Sequence, residues 1–206
     1  MTSPHRSTPP QQQYADRSYR SPAAMAGGGL LIALALWLGG DALLRGGAHT
    51  KLMALFALLL VVPLVFAFTL RPAVRASADL LTVRNPFRTI TLPWGAVENL
   101  RAAFSAEVFT SGAKYQMWAI PVSLRQRKKA SRQAARGASR TRLGGAADDG
   151  PAPRAMADQA LDELREIKER AGERESAKGE PTVRWAYPVI APIVAGAIGL
   201  AVTLAL

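Results

Sequence analysis

The stretch Leu52-Met53-Ala54-Leu55-Phe56-Ala57-Leu58-Leu59-Leu60-Val61-Val62-Pro63-Leu64-Val65-Phe66-Ala67-Phe68-Thr69-Leu70 carries no charge, and Thr69 is its only polar side chain. A helix crosses the hydrocarbon core of a bilayer with roughly 20 apolar residues. In lipid every backbone polar group must be satisfied within the segment, so such a stretch reads as a transmembrane helix. Working outward, Ala23–Leu44 and Ala186–Leu206 have similar length and character. The chain therefore reads as a membrane protein with three spans at 23–44, 52–70 and 186–206. The mean hydropathy of +0.06 hides this, because it averages three apolar segments with very polar ones.

The first two spans are joined by the short loop 45–51 and form a helical hairpin. Asp41 lies within about a turn of the outer end of the first span, where a solvated interfacial acid carries little cost. Pro63 is expected to kink the second span, which neighbouring helices tolerate. Trp185 and Tyr187 open the third span as an interfacial aromatic pair. Ala191, Ala195 and Gly199 recur every four residues there, a small-residue face that permits close helix approach.

The formal charge is +11. Arg125, Arg127, Lys128, Lys129, Arg132, Arg136, Arg140 and Arg142 form a run without an acid. Basic residues near span ends mark the cytoplasmic side. The tail contributes Arg6, Arg17 and Arg20, against Arg45 and Lys51 in the loop. These charges place the tail and the middle domain in the cytoplasm, and the short loop and C-terminus outside a plasma membrane. A cleaved signal peptide over 17–38 is disfavoured, because Ala33-Leu34-Ala35 lies in the middle of the apolar run.

Residues 1–22 are rich in Pro, Gln and Ser and read as a disordered tail. Within 71–124 the period changes. Leu80–Arg84, the turn Asn85-Pro86-Phe87 and Arg88–Leu92 read as a β-hairpin. Val97–Phe104, Glu107–Thr110 and Lys114–Ile120 are further strand candidates, giving a small antiparallel sheet, curled or barrel-like. A basic segment and linker, 125–154, follows. At 155–171 the pattern is helical: Ala157, Leu161, Leu164 and Lys168 share a face, with Ala160 and Ile167 beside it. A polar linker, 172–185, leads to the third span. The fold class is thus an α+β membrane protein: three transmembrane helices, a small antiparallel β-domain and an amphipathic helix after it.

Chemistry is sparse. The chain has no cysteine, so disulfides, zinc-thiolate sites and cysteine nucleophiles are excluded. The histidines His5 and His49 lie in the tail and the outer loop and cannot form a usual metal site. There is no Gly-rich phosphate loop and no nucleophile elbow. No span carries a central ionisable residue, which argues against a transporter. The reading is therefore not an enzyme, with no cofactor and no metal. The basic run either attracts anionic lipid, at roughly 1 kcal/mol per residue near the surface, or only enforces orientation. Nucleic acid is disfavoured as a partner, since no aromatic residue is interleaved for stacking. Arg84 and Arg88 flank the hairpin turn, where guanidinium forks can hold an anionic ligand. Asn85 and Pro86 read as turn-forming residues. Trp94 and Trp118 read as core or interface anchors.

The string Leu81-Thr82-Val83-Arg84-Asn85-Pro86-Phe87-Arg88-Thr89-Ile90-Thr91-Leu92-Pro93-Trp94 resembles actinobacterial membrane proteins with a bacterial pleckstrin-homology (PH)-like domain. The nearest type is the low molecular weight protein antigen 6 family, and Tyr115–Val122 resembles it too. The resemblance covers about 71–129. It implies a strongly bent antiparallel sheet capped by a C-terminal helix, a role that 155–171 can fill, and it carries over no catalytic residue. The expected function is a non-catalytic, membrane-anchored PH-like module that binds a protein partner or the lipid surface at the cytoplasmic face. The alternatives are an anionic-lipid sensor working through 125–142 and a structural subunit of an envelope or division assembly. The expected partners are the bilayer and a membrane-associated protein.

Overall fold

The structure, a computed structural model, describes residues 16–102, 104–122, 156–171 and 174–206. The basic run 125–142 lies outside the described residues. Among the described residues, three helices are long and apolar enough to cross a membrane: Pro22–Arg45 (α1), Ala48–Leu70 and Tyr187–Ala205. The second is a regular α-helix over Ala48–Val65 (α2) and ends in a π-turn, Phe66–Leu70. Pro63 has no N–H to donate, and the widened turn begins three residues after it, closed by Arg71 N donating to Phe66 O at 2.9 Å. The α1 terminus is set by Ser21, whose Oγ accepts from Ala24 N at 3.3 Å, with Pro22 in the first turn. At the far end Arg45 and Asp41 pair at 3.1 Å, so the acid read as interfacial is balanced one helical turn away.

Among the described residues, eight strands form two sheets. Arg17–Tyr19 (β1), Ala73–Ala76 (β2), Leu80–Arg84 (β3), Arg88–Pro93 (β4) and Thr182–Trp185 (β8) make an antiparallel sheet in the order β1-β2-β3-β4-β8. Asn99–Ala102 (β5), Ala106–Phe109 (β6) and Lys114–Gln116 (β7) make the second. The register puts Val74, Val83 and Ile90 in one row and Ala76, Leu81 and Leu92 in another, and all six are buried. Val97, Leu100, Val108 and Met117 face them from the second sheet side. Trp94 is fully buried, and its Nε1 donates to Ser77 O at 3.0 Å, so the indole also ties down the β2–β3 loop.

The helix Met156–Ala171 (α3) closes this core. Ala157, Ala160, Leu161, Leu164 and Ile167 of the expected face are buried in it, together with Ala171, while Lys168 is only partly buried. Polar bonds fix its position: Arg165 Nη2 donates to Leu100 O at 2.6 Å and Lys168 Nζ to Glu98 O at 2.5 Å. Tyr19 Oη donates to Glu163 Oε2 at 2.6 Å. Arg165 pairs with Asp162 at 2.8 Å rather than with Glu163, and Glu166 pairs with Arg170. The third apolar helix, Tyr187–Ala205, is α4. Gly179, at φ +148°, makes the bend that leads the chain toward β8.

Four features differ from the sequence reading. Residues 17–19, expected inside a disordered tail, form β1 on the edge of β2. Residues 182–185, expected as linker, form β8 on β4. Residues 73–76 form β2, a strand too short to show an alternation of its own. The later strands are shorter than read, and they build a second sheet rather than continuing the first. Strands β1, β2 and β8 each take ladder bonds from a partner far away in the chain, and a local pattern does not contain that information.

Candidate functional site: the seat of the hairpin turn on the spans

Strand β1 leads into α1, the π-turn that ends the second span leads into β2, and β8 leads into α4, with at most two residues at each junction. The start of α1, the end of α2 and the start of α4 therefore meet the five-stranded sheet at one end of the helices. The Gly46-Gly47 turn and Leu206 lie at the other.

The β3–β4 turn, Asn85-Pro86-Phe87, is clasped at this junction. Asn85 N donates to Arg88 O at 2.9 Å and closes the turn. The Asn85 side chain is 4% exposed. Its Nδ2 donates to Gln116 O at 2.8 Å and its Oδ1 accepts from Trp118 N at 3.4 Å, so one amide joins the two sheets. A buried amide with both ends satisfied is rigid, and leaving its partners unpaired is costly. Asn85 thus has a structural role in the turn, as its reading as a turn-forming residue expects.

The spans grip the same turn. Arg71, the first residue after the second span, donates through Nη1 to Asn85 O and through Nη2 to Thr89 Oγ1 at 3.2 Å. Burial, and then the neighbouring charge of Arg84, lowers the Arg71 pKa from its ordinary value. Ala186 N, at the start of α4, donates to Phe87 O at 2.8 Å. Phe68 packs edge-on against Phe87 (centroids 5.4 Å apart) and Trp118 (5.5 Å). Trp118 is an anchor, and it still leaves about half of its surface exposed.

The two arginines expected to share a ligand are separated. Arg88 lies over the Tyr115 ring, 5.7 Å from its centroid. Arg84 instead lines a groove of about 580 Å³ between sheet and spans, together with Arg20 and Arg71. Sequence reasoning missed Arg20 and Arg71, because an arginine at a span end reads first as a topology signal.

Ala191 and Ala195 are exposed on α4. Gly199 faces Phe56 of α2, and Gly196, not singled out from the sequence, makes the closest approach: a Cβ there would stand 2.5 Å from Leu60 N and 2.8 Å from Phe56 O. The i,i+3 spacing of the two glycines was the signal available. Among the described residues no group of three or more His, Cys, Asp or Glu is placed to hold a metal.

Residues 71–146 match the family model of the bacterial PH domain. A search of curated proteins and a search of solved structures each found no match. The matched segment begins at Arg71, the residue that grips the turn. The PH-like domain is a type of module that binds lipids or proteins and is generally non-catalytic.

Proposed function

We propose that this chain is a multi-pass plasma-membrane protein whose PH-like domain docks a membrane-associated protein partner at the cytoplasmic face without catalysing a reaction. The observation that carries this is the double grip on the Asn85-Pro86-Phe87 turn by Arg71 and Ala186. A domain fixed at span ends is confined to the membrane surface, and confinement raises its effective concentration for partners in that layer to about the millimolar range. Weak contacts then suffice. The basic excess of 125–142 supports the cytoplasmic side. The resemblance of 81–94 to the low molecular weight protein antigen 6 family supports an actinobacterial origin.

The domain surface offers apolar contact. Phe104, at the β5–β6 tip, is 88% exposed. A photo-cross-linking residue placed at Phe104 in the full-length protein in cells tests the reading, with Arg101 and Glu107 as further positions. A discrete protein adduct is expected at one or more of them. Adducts with lipid alone at every position contradict it.

A further inference from the structure

Three arginines from three different junctions converge on one groove. Arg20 precedes α1, Arg71 follows the second span and Arg84 ends β3. Leu70, Trp185 and Val189 supply apolar walls from the ends of the second and third spans. Among the described residues no acidic side chain lines the groove. Arg71 already donates through Nη1 to Asn85 O in the turn and through Nη2 to Thr89 Oγ1 in β4. Among the described residues neither Arg20 nor Arg84 forms an ion pair. The N-termini of α1 and α4 lie at the same end, and each adds partial positive charge.

Like charges collected beside a bilayer need a counter-ion, and this one sits where headgroups sit. We propose that the groove binds the phosphate of an anionic phospholipid, with Arg20 and Arg84 as its donors and the acyl chains lying along Leu70 and Val189. Guanidinium forks fit phosphate oxygens in bidentate pairs. The arginines and the apolar walls line the same groove, as a phosphate and its own chains require. Arg71 supplies field rather than donors. Burial, and then the neighbouring charge of Arg84, lowers its pKa, and a bound phosphate relieves the second of these. This inference rests on the reading of the helices as spans and is independent of the protein partner.

Native mass spectrometry of the full-length protein tests it, after release from mixed micelles of phosphatidylglycerol and phosphatidylcholine. One phosphatidylglycerol is expected to be retained in preference to phosphatidylcholine. The double variant Arg20→Gln/Arg84→Gln is expected to lower that retention at least tenfold, about what two charge-assisted contacts supply. The variant Arg101→Gln/Lys114→Gln, equal in charge but on the second sheet, is expected to retain the lipid as the parent does. Equal loss in both variants, or no loss in either, overturns the proposal and assigns retention to general charge. Displacement of the lipid by millimolar inorganic phosphate also overturns it, because the groove would then hold a free anion without needing the chains. Loss of a protein cross-link with lipid retention intact would sink only the partner reading.

Discussion

The backbone nitrogen of Ala186 donates to the carbonyl of Phe87 at 2.8 Å, so the third span begins on the turn of a hairpin almost a hundred residues before it in the chain. With Arg71 on Asn85 from the second span, this makes the turn the joint between membrane and domain. The domain's position then depends on groups buried at the joint rather than on linker lengths.

Asn85 is the most sensitive of these groups. Asn85→Ala removes the partners of Gln116 O and Trp118 N in a buried setting. An unsatisfied buried group costs about 1–3 kcal/mol. Thermal unfolding of the detergent-solubilised protein is expected to show a clearly lowered midpoint. A midpoint equal to the parent's would mean that the two sheets are joined elsewhere.

Helix packing separates two kinds of glycine. Gly196→Ala places a methyl group against the α2 backbone, where neither side can yield by changing rotamer. Overpacking of this kind costs roughly 1–3 kcal/mol. Gly27→Ala meets nothing within 4 Å. It is expected to be neutral or slightly stabilising by helix propensity, by up to about 1 kcal/mol. The ranking of the two variants in one thermal assay checks the α2–α4 contact.

Tyr19 predicts a pH dependence. Burial, and then its bond to Glu163, raises its pKa above the ordinary tyrosine value. The folded protein therefore keeps this proton above pH ~10, where the unfolded chain loses it. The contribution is fully present below pH ~10 and is lost as pH rises toward the folded value. Tyr19→Phe is expected to cost about 1 kcal/mol at neutral pH and to flatten the alkaline fall. Parallel stability curves for the two proteins up to pH 11 would contradict the bond between β1 and α3.

The absence of cysteine makes sidedness easy to read. Gly47→Cys, in the short turn, is expected to react with a membrane-impermeant maleimide in intact cells. Ser111→Cys, in the β6–β7 turn, is expected to react only after permeabilisation. The reverse pattern would place the domain outside.

The spans were legible because their signal is compositional: about 20 uncharged residues mean the same thing in any context. The hairpin Leu80–Leu92 was legible because alternation and an Asn-Pro turn are local. So was the buried face of α3, where Ala157, Leu161 and Leu164 recur with the helical period. Strands β1, β2 and β8 were not legible. They have three or four residues each and exist because the spans deliver them to the sheet. The joint was half legible. Asn85 and Pro86 announce a turn, but nothing local says that Arg71 and Ala186 will hold it. Arg84 and Arg88 look alike in sequence, yet adjacent rows of the ladder send one to the groove and the other to the Tyr115 ring.

The central claim is that the PH-like domain and the spans form one body joined at the Asn85–Phe87 turn. Pulsed electron-electron distance measurement between spin labels at Gly47→Cys and Ser111→Cys, on the full-length protein in lipid nanodiscs, tests it most directly. The account predicts a single narrow distance distribution that broadens in the Asn85→Ala variant. A broad distribution in the parent protein would mean a domain swinging on its linkers, and would contradict it.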